Sequence, residues 1–369
     1  MANGLIWIPK RLVELGLLNV AAQLPQKFVE YCEQDYAARV QQAAVQVRQS
    51  GARVVMLTGP SSSGKTTTAH KLAAALRGAG VESAVVSLDN FFKNVQDYPR
   101  LPDGRPDYES VDALDIPAIL RALASLIETG RAEIPDFDFN REQRVCGTLE
   151  VSVGRGVAVV EGIHALNPCL VAGLPAGSVY KVYAGLREEY SHGGQRILPT
   201  RDVRLARRMV RDYQFRGHSP QRTLSMWADV CRGEDENIKV FKPEADLLLD
   251  TSFSYEPCCL APLVGALRGQ VPPESPWAES MQSLCARFAL CKPLEAGLVP
   301  PASMLREFIG RRSHAARCPG APAQNAAYMT LGRAPRGRKR EGCLYGLEQT
   351  ETGRCPGGRF RRAHGRHAV

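Results

Sequence analysis

The chain is short of several features that would each have pointed elsewhere. It has no run of 18 apolar residues, so no membrane-spanning helix is expected. Its eleven cysteines (32, 146, 169, 231, 258, 259, 285, 291, 318, 343 and 355) form no C-x-x-C pair, and their number is odd. That pattern argues against a zinc knuckle or a disulfide framework and for free thiols in a reducing compartment, so a cytoplasmic location is expected. No N-K-x-D run is present, which removes the usual guanine-reading signal of a GTPase switch. Residues 1–10 lack a basic region followed by an apolar run and make a poor secretory signal.

Acidic charge is scarce only at one end. The formal net charge is +9, yet residues 311–369 carry 13 Lys+Arg against 3 Asp+Glu, leaving 34 basic against 35 acidic residues over 1–310. The basicity is thus a property of the last segment, where Arg, Gly, Pro and Ala dominate. Such a composition buries too little apolar surface to offset its ordering entropy, so disorder is expected there. Nucleic acid is expected to bind only non-specifically, through this tail, because few aromatics stand among its charges.

The most informative run is Gly59-Pro60-Ser61-Ser62-Ser63-Gly64-Lys65-Thr66. It fits the phosphate-binding pattern G-x-x-x-x-G-K-[ST], with an apolar strand before it (54–57) and an amphipathic helix after it (67–76). The glycines let the backbone wrap an anion, and the helix N-terminus supplies free N–H groups and a favourable dipole. Residues 59–67 are therefore expected to bind the nucleotide, with Lys65 on the β/γ-phosphates and the Thr66 hydroxyl on Mg²⁺.

Around this run the chain divides into four segments. Residues 1–50 read as helical, with Phe28, Tyr31, Tyr36, Val40, Ala43, Ala44 and Val47 at helical spacing. Residues 51–271 alternate strand (53–58, 83–88, 157–161, 179–184, 245–249) and helix (65–78, 112–129, 201–215, 220–232, 256–268). This predicts an α/β fold, three layers around a mostly parallel sheet. Residues 90–111, rich in proline and charge, read as a long loop beside the site. A C-terminal helical extension (272–310) and the basic tail (311–369) complete the chain.

Three further elements narrow the chemistry. Ser87-Leu88-Asp89 places a carboxylate at the carboxyl end of a strand, where parallel sheets bind ligands. Asp89 there suits a group that positions or deprotonates a hydroxyl, although aspartate also serves as a helix N-cap. Val157-Ala158-Val159-Val160-Glu161 ends a buried strand on an acid, which suits Mg²⁺ coordination directly or through water. Arg208 and Arg211 share a helix face, with Arg216 beyond, as a cationic lid over phosphates would need.

Taken in order, GPSSSGKT, SLDNFF, DYESVDALD, IPDFDFNREQR, VVEGIHAL, RRMVRDYQFRG and Glu244-Ala245-Asp246 resemble the uridine kinase branch of the phosphoribulokinase/uridine kinase family over roughly residues 25–312. The resemblance implies a P-loop kinase with a helical lid that passes the ATP γ-phosphate to a nucleoside 5′-hydroxyl. It implies that Asp89 activates the hydroxyl, that Asp112 holds the ribose, that Phe137 stacks near the base beside Phe92, and that Arg208, Arg211 and Arg216 contact phosphates or substrate. It also implies a small-molecule partner, no membrane, and homo-oligomerisation as in other members. The acceptor side departs from the family pattern: Glu142 stands where a base-reading histidine is usual, Phe137 replaces a tyrosine, His218 an arginine and Met226 a glutamine. The alternatives are a kinase of another acceptor (a different nucleoside, a sugar phosphate or pantothenate) and a non-catalytic nucleotide-binding switch.

Overall fold

The computed structural model describes residues 10–138 and 141–310; the tail at 311–369, with its expected disorder, lies outside them. A short strand, β1 (Arg11–Glu14), and a helix, α1 (Leu15–Ala21), lead into the long helix α2 (Pro25–Ser50). Pro25 suits the first helical turn, where its missing N–H has no partner to lose. The helix buries Val29, Cys32, Tyr36, Val40, Ala43, Ala44 and Val47. The expected stripe is corrected at its start: Tyr31 is 70% exposed and Phe28 only partly buried. Val29 and Cys32 hold the buried line, and one residue's offset turns a helical side chain away by about 100°.

Beyond α2 the chain alternates as expected. It forms β2 (Val54–Thr58), α3 (Lys65–Gly78), β3 (Ser83–Ser87) and α4 (Ile116–Thr129). The helix expected over 112–129 starts later, because residues 111–113 form a 3-10 turn and the Asp115 carboxylate caps the Ala118 N–H. Next come β4 (Arg131–Asp138), β5 (Gln143–Ser152), β6 (Val157–Glu161), β7 (Val179–Gly185), β8 (Glu188–His192) and β9 (Gln195–Leu198). The described chain closes with α5 (Thr200–Phe215), α6 (Pro220–Asn237), β10 (Leu247–Asp250), α7 (Glu256–Leu267), α8 (Ala278–Phe288) and the short α9 (Arg306–Ile309).

Five parallel strands make the central sheet in the order β10-β7-β2-β6-β3. Each falls on a strand expected from the sequence. Strands β2 and β6 are buried at every residue, so neither face can meet water and helices must cover both. Val55 and Leu57 pack into a cluster that runs from Leu15 to Ile309 and takes in α2, α3, α5, α7 and α8. Val54 and Met56 point the other way, into a second cluster with α4. Register does the rest: Leu57 lies opposite Glu161, and Glu161 opposite Ser87. The carboxyl ends of β2, β6 and β3 are therefore level, and whatever follows each strand meets at one edge.

Two smaller sheets had no counterpart in the sequence reading. Strands β4 and β5 pair as an antiparallel hairpin, and β1, β8 and β9 form a three-stranded sheet. The alternation in the hairpin is short, with only Ala132 and Ile134 of β4 buried at its start, and the three-stranded sheet is built on charged strands. β5 is exposed along almost its whole length, and β8 reads Glu-Glu-Tyr-Ser-His. The buried acids of β8 are neutralised across the sheet, Glu188 by Arg11 at 2.8 Å and Glu189 by Lys10 at 2.5 Å and Arg196 at 3.1 Å. Among the described residues no helix is long and apolar enough to cross a membrane.

Candidate active site

The loop between β2 and α3 turns on two residues in left-handed backbone conformation, Ser62 (φ 60°) and Gly64 (φ 83°). Successive turns of this kind point N–H groups inward to make an anion cradle. Gly59 is needed for a different reason: a Cβ there would run into the carbonyl oxygen of Ala184 on β7. With N–H groups turned in, loop carbonyls face out and need donors.

Helix α5 supplies them. Arg204 donates to the Ser61 carbonyl at 3.0 Å, Arg207 to the Ser62 carbonyl at 3.2 Å, and Arg208 to the Ser61 hydroxyl at 2.7 Å. Arg204 and Arg207 are almost fully buried, and each is neutralised by an acid: Glu234 at 2.8 Å and Glu256 through a bidentate pair. The sequence reading selected Arg208 and missed these two neighbours, whose place on the inner helix face is set by the strand and helix packing beneath. Arg208, Arg211 and Arg216 do gather, around the buried carboxylate of Asp212 at 3.4, 2.8 and 3.5 Å. Asp212 was also missed, although its i, i+4 spacing from Arg208 and to Arg216 was visible.

The level strand ends bring the acids to the loop. The Thr66 hydroxyl donates to Glu161 Oε2 at 3.2 Å, and the Ser87 hydroxyl donates to Glu161 Oε1 at 2.9 Å. Glu161 is 3% exposed, and burial together with the nearby Asp89 raises its pKa to about 7, against the pull of Lys65, Ser87 and Thr66. Asp89 follows β3 in a 3-10 turn whose cap is Ser87, so its carboxylate is not used as the N-cap. Burial raises the Asp89 pKa, opposed by the charges of Lys65 and Arg216. A third carboxylate, Glu109, lies in the same field: burial raises its pKa while Arg208 and Lys65 lower it. Sequence reasoning passed over Glu109 for Asp112, three residues on. Asp112 is exposed, and the groups it acts on are His164 and Cys169.

The residues expected on the acceptor side form one aromatic group. Phe92 contacts Phe137 (ring centroids 5.9 Å apart) and Tyr98 (5.7 Å), and Tyr98 meets Tyr108 edge-on at 5.4 Å. The Tyr108 hydroxyl donates to the Glu142 carboxylate at 3.3 Å. Glu142 itself is exposed with φ 52°, a conformation unusual for a residue with a side chain. The group abuts Asp89: burial and the charges of Tyr108, Glu142 and Asp89 push Tyr98 up to about 12. Arg144 holds hairpin and loop together, donating to the carbonyls of Phe92 (3.0 Å) and Phe91 (3.2 Å) and pairing with Asp115 (3.1 Å).

Residues 54–185 match the model of the Phosphoribulokinase / Uridine kinase family. That segment is similar to the phosphoribulokinase/uridine kinase family. A uridine kinase of Deinococcus deserti is 27% identical over 205 residues, which cover 55% of this chain and 90% of that enzyme. One of Borrelia turicatae is 28% identical over 53% of this chain and 85% of its own. One of Schizosaccharomyces pombe is 28% identical over 50% of this chain and 37% of its own. Among solved structures, phosphoribulokinase from Rhodobacter spheroides aligns over 56% of this chain and 74% of that one, at 16% identity and a TM-score of 0.39.

The Mg²⁺ expectation meets a suitable donor set. Thr66 and Glu161 are adjacent hard-oxygen donors, and Glu161 is a buried acid acted on by the nearby charge of Lys65. Among the described residues no group of three or more His, Cys, Asp or Glu could hold a metal. That fits Mg²⁺ in a nucleotide site, which takes one or two protein oxygens and completes its shell with phosphates and water. One buried group stays outside this scheme. His164, two residues beyond Gly162, is 1% exposed with no hydrogen-bond partner on either ring nitrogen, and burial lowers its pKa to about 4.

Proposed function

We propose that this protein is an ATP- and Mg²⁺-dependent kinase that phosphorylates the 5′-hydroxyl of a nucleoside. The observation that carries the proposal is the register of three strands, which sets Lys65, the Thr66–Glu161 pair and Asp89 at one sheet edge. Residues 59–67 would cradle the triphosphate, with Lys65 across its β/γ-phosphates. Thr66 and Glu161 would hold Mg²⁺, which supplies charge neutralisation when bound. Asp89 would accept the proton of the attacking hydroxyl, and a pKa raised by burial makes it a better base. The new bond joins the acceptor oxygen to the γ-phosphorus, the bond to the β–γ bridging oxygen breaks, and ADP leaves. Arg208, Arg211 and Arg216, gathered on Asp212, would offset the charge that moves between the two oxygens.

On this reading residues 51–271 carry the machinery, and residues 1–50 and 272–310 buttress it. The acceptor would sit against Phe92 and Phe137, with Glu142 at its rim. Glu142 accepts hydrogen bonds where a histidine could also donate, so a base presenting N–H groups is favoured over one presenting oxygens. Cytoplasmic work suits the free thiols of the described chain. The test is ADP release with Mg·ATP across nucleosides and sugar phosphates. We expect turnover on at least one nucleoside, abolished in Lys65→Ala. Turnover confined to sugar phosphates would displace the nucleoside reading, and ATP binding without any turnover would favour a switch.

A further inference from the structure

The nucleotide cradle is not open on all sides. Residues 303–310 cross it as a strap. A Cβ at Gly64 would collide with the Met304 side chain, so the strap lies directly on the second glycine of the loop. Phe308 is fully buried beneath the Arg207 guanidinium, 4.9 Å from ring to cation, and Arg207 is itself bonded to the loop. The backbone of the strap is fixed by Arg306, which donates to the carbonyls of Ala296 and Gly310 at 2.9 Å and to that of Val299. From this fixed strap Glu307 reaches the first turn of α3 and accepts the Thr67 hydroxyl proton at 2.6 Å.

That contact sets an acid on the first turn of the helix whose N-terminus is expected to bind an anion. Thr67 directly follows the Mg²⁺-directed Thr66, in the turn whose unsatisfied N–H groups attract phosphate. A carboxylate and a phosphate cannot share one hydroxyl without like-charge repulsion. We propose that Glu307 is an affinity-setting residue of the nucleotide site: its carboxylate occupies the phosphate position on Thr67, and a nucleoside polyphosphate must displace it to bind. The inference rests on the nucleotide-binding reading of the 59–67 loop. The strap cannot swing away without unseating Phe308 and Arg306, so the displaced carboxylate stays close to the bound phosphates. Glu307 thus weakens the intrinsic affinity of a cradle built to hold them.

Glu307→Gln tests this directly, because glutamine keeps an acceptor oxygen for Thr67 and removes only the charge. ATP and ADP binding to the full chain, measured by calorimetry with Mg²⁺, should tighten about tenfold in the variant, the size expected for a half-buried charge near a phosphate. Adenosine, which has no phosphate, should compete equally weakly for both proteins. Glu307→Asp, which keeps the charge but draws it back by one methylene, should gain less and guards against a misfolded glutamine variant. An unchanged ATP affinity in Glu307→Gln overturns the inference while leaving the kinase reading in place. A weaker one also overturns it, by making Glu307 a ligand of the nucleotide. A wild-type chain that binds no ATP removes both.

Discussion

The two halves of the site are built from different materials. On the proposed donor side, backbone would carry the recognition: a loop fixed by two left-handed residues, three arginines bonded to its oxygens, and an acid level with it on a buried strand. On the proposed acceptor side, side chains would carry it: four aromatics and Glu142, borne by the irregular segment after β3 and an exposed hairpin. A phosphate is the same ligand in every nucleotide, so its cradle can be rigid. An acceptor differs between enzymes, and loops can change without disturbing the sheet. The difference predicts that damage to the donor half is severe and shared by all substrates, whereas damage to the acceptor half is mild and selective.

The largest effect should follow from the group where the halves meet. Asp89→Asn keeps the shape and removes the proposed base, so kcat should fall by about 10²–10⁴ while ATP affinity changes little. Steady-state kinetics with separate ATP titration checks this. A variant that loses ATP affinity and keeps kcat would assign Asp89 to the donor half and erase the boundary drawn here.

Next in size is the support beneath the loop. Arg207→Met leaves Glu256 buried without its cation, and loss of a buried partner of this kind costs about 3–5 kcal/mol. Chemical denaturation should show it, and the double variant Arg207→Met/Glu256→Leu should recover much of the loss. If the single variant is as stable as wild type, the pair is not what holds α5 to the loop.

These two predictions also mark what the sequence could and could not disclose. The loop, the five parallel strands, Asp89 and Glu161 were legible because a local pattern dictates each: an apolar run, a glycine spacing, an acid closing a strand. Arg204, Arg207 and Asp212 sit in the same helix as the selected arginines, but only packing decides which of them turn inward. The 3.2 Å contact of Thr66 with Glu161 joins residues 95 positions apart and depends on register. Tyr98, Tyr108 and Glu109 lie in the segment read as loop, where no periodicity points to a side chain. The hairpin and the β1-β8-β9 sheet were missed because the alternation of β4 is short, β5 is largely exposed, and β8 is charged.

A smaller effect should appear in the dependence of stability on pH. The Glu161 pKa is raised in the folded state, so the native protein binds the extra proton between about pH 4.5 and 7. Stability should therefore fall as pH rises through that window, by roughly 1–3 kcal/mol in the absence of Mg²⁺. Glu161→Gln should flatten this slope, and Mg·ATP should offset it in wild type by favouring the charged carboxylate. Thermal unfolding across the window reads all three, and a slope that persists unchanged in Glu161→Gln would place its origin elsewhere.

The smallest effect is the most telling for the comparison, because it tests whether the acceptor half is separable at all. Tyr108→Phe removes the hydroxyl that steadies Glu142 and leaves the aromatic contact with Tyr98 intact. An exposed hydrogen bond to a carboxylate contributes on the order of 1 kcal/mol, so the KM of whichever nucleoside the screen finds should rise about fivefold. The KM for ATP should stay put, since the contacts of Tyr108 are with Tyr98 and Glu142. If both constants move together, the aromatic group is coupled to the cradle through Asp89 and Tyr98, and recognition of acceptor and donor is one event. If only the acceptor constant moves, Glu142 is free to be exchanged for another base-reading residue at no cost to phosphate transfer.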